Sequence, residues 1–401
     1  MSGEHKPERF DILLTGGQVF DPRTGVFRTA DVATIGNKVA EISERVDGTA
    51  AHVIDCSGKI VTPGLVDMHT HVYDGVFEKA VPAIEAHLRR GVVAVVDAGS
   101  FGVSNFDGFR RYIVEDAPCR ILGFINISSV GLSNMEVSEF ASPAAVMKDK
   151  TIAVALKHPE IIKGVKVRLS RSQAGDNPLE YLKAAVEVGA AIGKPIMVHF
   201  GETACPLEAV LSELRSGDIL THAFHGKSEG LLQDGAIHPA AHDARSRGVL
   251  FDVGHGTTQL AYSVARTALE SGFYPDTVGS DLSLRNWREP AYDLPTVMSK
   301  LLALGMPLPQ VLTAATRRPA EILGIDVDGF GLLEKGGRAS ITVLDQLVDA
   351  DILPDASDDR LPVKRLEPVM VVNNGELIET TPWRGLNSAA VPEGDAHGAC
   401  C

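Results

Sequence analysis

Ile60-Val-Thr-Pro63-Gly64-Leu-Val-Asp67-Met-His69-Thr-His71-Val-Tyr73 is an apolar run, broken by Pro63-Gly64, that ends in two histidines one residue apart. Side chains alternate faces along a strand, so His69 and His71 point the same way. Two imidazoles on one face at a strand end can reach one metal ion, with Zn–N distances of about 2.0–2.1 Å. Taken alone, such a pair is more often a wet strand edge than a ligand set, so the rest of the chain decides.

From Val61 onward, apolar runs alternate with amphipathic helical stretches. The runs are Leu65–His71, Val92–Gly99, Arg120–Asn126, Ile161–Leu169, Pro195–Phe200, Ile219–Phe224, Val249–Gly254 and Val278–Leu282. Helix-like stretches such as Val76–Arg90, Pro178–Ile192, Pro206–Arg215 and Gln259–Glu270 lie between them, several closed by a glycine (Gly91, Gly193, Gly217, Gly272). Near-continuous apolar strands followed by helices describe a parallel sheet buried on both faces. Eight such units over residues 61–325 predict an α/β fold, a (β/α)8 TIM barrel. An open doubly wound sheet is the alternative, but no Gly-rich dinucleotide fingerprint follows the first strand.

Both flanks have another texture. Residues 1–60 hold short β-like pieces between turn signals, read as an antiparallel module. Two helices, Leu294–Leu304 and Pro309–Leu323, complete the barrel region, and β pieces then return at Ser340–Leu344, Val369–Val372 and Glu376–Ile378. Asn373-Asn374-Gly375 reads as a hairpin turn and Asp349–Arg360 as a loop. Residues 1–60 and 326–387 are therefore expected to build one small β-sandwich from both chain ends, with 388–401 a disordered tail.

Composition excludes several function classes. At 401 residues, 44% hydrophobic and 22% charged, the chain is an ordinary globular protein large enough for a main domain and a smaller one. A net charge of −14 and the lack of any basic run argue against nucleic acid or an anionic membrane as partner. No apolar stretch is long enough to span a bilayer, and the N-terminus has no secretory pattern. Five scattered cysteines, two of them Cys400 and Cys401 in the tail, read as reduced thiols in a cytoplasmic protein.

Barrel active sites lie at the C-terminal ends of the strands. The first run ends in His69 and His71. The fourth carries Lys166 and Arg168 on one face, and the fifth ends at His199 with Glu202 beyond it. The sixth gives Thr-His222-Ala-Phe-His225-Gly, the seventh Asp252-Val-Gly-His255-Gly, and the eighth Gly-Ser-Asp281-Leu. Polar residues gathered at one rim are hard to explain by packing. Each has a bland reading all the same: a strand lysine paired with a carboxylate, core histidines satisfied by neighbours, an aspartate capping the next helix.

The Pro-Gly-x-x-Asp-x-His-x-His opening and the order of rim residues resemble the amidohydrolase superfamily, in its two-metal members, over nearly the whole chain. Shorter stretches, Asp97-Ala-Gly-Ser, Lys166-Val-Arg168-Leu-Ser and Thr221-His-Ala-Phe-His-Gly, look most like its deacetylase-like and dihydroorotase-like branch. The resemblance implies two divalent ions, zinc above all. His69 and His71 would bind the more buried ion and His199 and His222 the other. Lys166, carboxylated by CO2 to a carbamate, would bridge them. Asp281 would ligate the first ion and act as catalytic general base and then acid.

The implied function is a metal-dependent hydrolase cleaving an amide or ester bond of a small acylated acid, such as an N-acetyl amino acid or O-acetyl 2-hydroxy acid. Arg168 is a candidate grip on the substrate carboxylate or one half of a structural ion pair. His225, His255, Tyr73 and Asn105 are candidate cavity residues. A cyclic amide hydrolase of dihydroorotase or hydantoinase type and an inactive scaffold barrel are the rivals. Deamination is disfavoured by Lys166. Barrels of this kind often form homo-oligomers, for which the sequence shows no interface.

Overall fold

Valine, isoleucine and leucine crowd the runs read as strands, and in the computed structural model, which describes residues 8–383, seven of those runs join one parallel sheet. Its strands are β1 (Leu65–Thr70), β2 (Val92–Ala98), β3 (Arg120–Asn126), β4 (Ile162–Arg168), β5 (Ile196–His199), β6 (Ile219–Thr221) and β7 (Leu250–Phe251), neighbours in chain order. Every residue of β1, β2 and β4 is buried, as a sheet covered on both faces requires. Parallel register sets Lys166 of β4 beside Met197 of β5 and Asn126 of β3.

The eighth run does not form a regular strand. Thr277 bridges Asp252 after β7, and Leu282 bridges Thr70 of β1. Asp281 N–H donates to His69 O at 2.6 Å and His71 N–H to Leu282 O at 3.1 Å. Asp281 sits in the left-handed region at φ 49°, which a regular strand cannot hold and which turns its side chain out of line. Residues 277–282 thus lie between the last strand of the sheet and the first.

Helix Pro178–Ile192 forms as read, with proline in its first turn and Gly193 in the left-handed conformation at its end. Others are shorter than the periodicity suggests. The stretch 76–90 yields only Ala83–Ala86 and a 3-10 turn, Leu88–Arg90, because Pro82 lacks an N–H and pushes Val81 away from helical geometry. Pro309–Leu323 divides into Leu308–Ala314 and Arg317–Leu323.

The two chain ends meet in a second sheet of eight strands. Glu8–Asp21 pairs antiparallel with Val26–Ile35 but parallel with Gly48–Asp55 and Ile60–Pro63, so the N-terminal module is mixed and not antiparallel. Ile60–Pro63 also pairs with Ile341–Pro354, joining the ends just before β1. Ile12, Leu14 and Val32 from one end share a core with Ile341, Val343 and Val372 from the other.

Asp349–Arg360 is mostly strand, and only residues 355–359 form the turn between. Strands Ile341–Pro354 and Arg360–Asn373 pair as far as Pro354 and Arg360, and Arg365 fastens Asp351 across the ladder at 2.7 Å. Its polar composition reflects exposure of these strands, not loss of pairing. Asn374 and Gly375 both adopt positive φ, as the expected tight hairpin requires. Cys56, Cys119 and Cys205 are buried free thiols, while the tail 388–401 with Cys400 and Cys401 lies outside the described residues. Among the described residues no helix is long and apolar enough to cross a membrane.

Candidate metal centre

The ends of β1, β4 and β6 and the segment 277–282 bring His69, Lys166, His222 and Asp281 together. One ligand atom each from His69, His222 and Asp281 falls within 4.8 Å of the other two. Asp281 Oδ1 lies 3.1 Å from His71 Nε2 and 3.3 Å from His69 Nε2. Lys166 Nζ is 3.0 Å from His69 Nε2. The His199 ring stands edge-on to His222, with centroids 4.2 Å apart. The six residues read as metal ligands thus lie in one connected cluster, and ligand atoms of His69, His222 and Asp281 converge within it.

The far sides of the rings are tied down. Thr221 Oγ1 donates to Asp252 at 2.7 Å and so accepts from His69 Nδ1 at 2.9 Å. His222 Nδ1–H donates to Gly254 O at 2.7 Å, and His71 Nδ1 meets Ser100 Oγ at 2.8 Å. An Nδ1–H held in this way leaves the Nε2 lone pair of His69 and His222 aimed at the centre. His222 Nε2 is buried with no partner among the described residues. A buried lone pair without a donor suits a cation, so the donor set fits a divalent ion.

Local backbone serves the same end. His222 and Asp281 both hold positive φ, 62° and 49°, strained for side-chain-bearing residues and typical of functional sites. Gly256, itself at φ 51°, leaves room for Asp281: a Cβ there would lie 2.3 Å from Oδ2. At Gly99 a Cβ would come within 2.8 Å of the Lys166 stem. Asp67 accepts from Ser280 Oγ at 2.5 Å and from the N–H groups of Ser280 and His69, fixing β1 against the segment that carries Asp281.

Electrostatics follow burial. Burial lowers Lys166 to about 8, so about a tenth of its amine is unprotonated at pH 7, far more than for an ordinary lysine. Burial also keeps His69, His199 and His222 neutral, as ligands must be. For Asp281 burial acts upward, but the imidazoles of His69, His71 and His222 outweigh it and hold the carboxyl well below its usual range.

A cavity of about 540 Å³ opens onto this centre. Phe77, Leu132 and Met135 form an apolar wall; Thr257, Thr258, Gln259, Ser283, Arg285 and Asn286 form a polar one. Arg168 lines it too, but its Nη1 is 2.7 Å from Glu139 Oε1 and both side chains are buried, so its charge is already matched.

The other four candidate cavity residues are not among those lining it. Tyr73 donates to Asn105 O at 2.8 Å, and Asn105 bonds Gly102 N and Val130 O, which makes that pair a loop clasp. His225 accepts from Lys227 N against the Phe200 ring. His255 joins buried Lys300 at 2.8 Å. Residues that the sequence reading missed are Thr221, Asp252, Glu139, Gln259 and Arg285. Thr221 and Asp252 stand in the sixth and seventh runs at the rim and Gln259 heads a helix-like stretch, signals that were available; Glu139 and Arg285 sit where no periodicity marks them.

The amidohydrolase family profile matches residues 60–381, most of the chain. The chain belongs to the amidohydrolase family. A deacetylase of Agrobacterium fabrum is 34% identical over 95% of this chain and 95% of its own. A crystal structure of a dihydroorotase superposes with a TM-score of 0.86 at 31% identity, covering 92% of this chain and 98% of that one. An adenine deaminase structure follows at 0.85 and 28%, covering 92% and 99%. This amidohydrolase is thus a hydrolase acting on C–N bonds, and its family implies a divalent metal.

Proposed function

We propose that this amidohydrolase removes the acyl group from a small acylated acid, using zinc held by His69, His71, His199, His222 and Asp281, with Lys166 as a bridging carbamate. The observation that carries the reading is the convergence of His69, His222 and Asp281 ligand atoms beside a buried lysine whose pKa burial lowers. In the same reading the parallel sheet and segment 277–282 close as an eightfold barrel, and the sheet shared by the chain ends folds over as a sandwich.

A bound divalent ion supplies Lewis-acid polarisation of the scissile carbonyl and an acidified water. The protein supplies the rest. Asp281, anionic at neutral pH, is placed to take a proton and return it to the leaving group. Thr221, Asp252, Gly254 and Ser100 hold the imidazoles in orientation. Buried Lys166, with its amine partly free, can form an N–C bond to CO2 and release a proton, gaining the carboxylate that two ions would share.

The likeness to adenine deaminases leaves family membership alone unable to separate deacylation from deamination, and the deacetylase likeness over 95% of both chains favours the former. The deciding experiment is metal analysis of protein purified without chelator, followed by a screen of N-acyl and O-acyl acids and amino-purines. About two ions per chain with chelator-sensitive deacylation is the expected result. Amino-purine turnover without deacylation would replace the reading, and a protein that neither takes up metal nor turns over any of these would be a scaffold.

A further inference from the structure

Resting on the deacylase reading, we propose that Arg285 and Gln259 form the substrate-selecting subsite of the cavity, Arg285 binding the substrate carboxylate and Gln259 an amide N–H beside the scissile bond.

Three observations support this. First, the two arginines that line the cavity differ in charge balance. Arg168 is buried against Glu139, whereas Arg285 is exposed at the cavity and has no hydrogen bond or carboxylate partner among the described residues. An arginine already matched offers an incoming anion little, and an unmatched one offers a planar fork.

Second, Gln259 is only 5% exposed, and its Oε1 is buried without a partner. Such orphaned acceptors are rare and call for an occupant. The Gln259 stem and Asp281 Oδ2 both crowd the position where a Gly256 side chain would start, at 3.4 and 2.3 Å. Gln259 therefore stands next to the residue that would protonate the leaving group. A leaving amide nitrogen brings an N–H there, and an ester oxygen does not.

Third, both residues are carried on ordered loops. Asn286 bonds Asp281 O and Ser283 N, which fixes the turn that presents Arg285. Gln259 N–H donates to His255 O at 3.2 Å. The substrate class is accordingly an N-acyl amino acid in preference to an O-acyl hydroxy acid.

The test measures kcat and KM of the metal-loaded enzyme on an N-acetyl amino acid, its neutral carboxamide and the matching O-acetyl hydroxy acid. Calorimetric binding of the N-acetyl amino acid to Asp281→Asn protein, alone and with each further variant, accompanies it. Arg285→Met should raise KM and Kd for the acid about 10- to 100-fold and change kcat/KM for the carboxamide less than about threefold. Gln259→Leu should cut kcat/KM for the amide about 10- to 100-fold and for the ester far less.

Equal effects of Arg285→Met on acid and carboxamide, or none on either, would overturn the anchor. Equal effects of Gln259→Leu on amide and ester would overturn the second role. Wild-type enzyme that deacylates none of the three would instead overturn the deacylase reading, and with it this subsite. Circular dichroism of both variants separates these results from misfolding, and Gln259→Glu, of similar size, should spare the fold while it repels the acid.

Discussion

Asp281 and His71 are 210 residues apart in sequence, and Asp281 Oδ1 lies 3.1 Å from His71 Nε2. The contact exists because residues 277–282 hydrogen-bond to β1, and because Asp281 leaves strand geometry at φ 49°. The centre is therefore as well placed as the groups behind it allow. Asp252 accepts from Thr221, Thr277 and Gly279 N–H and faces His69 Nδ1 at 3.4 Å. Asp252→Asn should weaken metal affinity about 10- to 100-fold while leaving the liganding residues intact. Competition with a chromophoric chelator measures it.

Lys166→Ala should abolish activity and reduce bound metal, and a short carboxylic acid should restore part of both by replacing the carbamate oxygens. Metal content and turnover with and without the acid test this. Full activity in the variant would end the bridging role.

Glu139→Gln leaves the buried Arg168 guanidinium without its counter-charge and should cost about 3 kcal/mol of stability. Replacing both residues with apolar ones of similar volume should recover much of that loss. Urea denaturation of the three proteins gives the comparison, and similar stability for Glu139→Gln and wild type would show the pair to be dispensable.

Lys300 is fully buried, donating to His255 Nε2, Pro290 O and Pro354 O, with no carboxylate in contact among the described residues. Burial lowers it to about 7 from an ordinary 10.5. Between those values the unfolded chain binds the proton and the folded one releases it, so this group's contribution to stability rises with pH across that window. It is fully present above about 10.5 and fully lost once pH has fallen to about 7. Wild type should therefore gain stability relative to Lys300→Met between pH 7 and 10, on the order of a few kcal/mol. Paired denaturation curves across that range check the sign; a flat difference would mean that Lys300 stays protonated.

Much of the fold was legible because local chemistry dictates it. Apolar runs such as Val92–Ala98 have one stable home, between two covered faces, and Pro178 with Gly193 bounds its helix from both ends. Pro82 shows the limit, since an amphipathic period survives in the letters after one missing N–H has cut the helix. Asp349–Arg360 shows another: its aspartates and prolines look like a loop, but pairing with a strand far along the chain makes most of it β.

By itself, the sequence picked out the residues that cluster at the rim. His69 and His71 share a strand face by backbone periodicity, and Lys166, His199 and His222 lie at or just past the ends of their own strands, where a parallel sheet must collect them at one rim; Asp281 reaches it from a segment that forms no regular strand. Only the tertiary structure decided which charges are free. Arg168 lies on the right face of its strand, yet Glu139, 29 residues earlier and on no periodic element, neutralises it. Tyr73 spends its hydroxyl on Asn105 O and Asn105 its side chain on Gly102 and Val130, while Arg285, on a loop that no period marks, and Gln259, at the head of a stretch read as helix, face the cavity with bonds to spare. Strand position is set by local patterning, whereas the pairing of charges and the satisfaction of polar atoms depend on which distant segments meet.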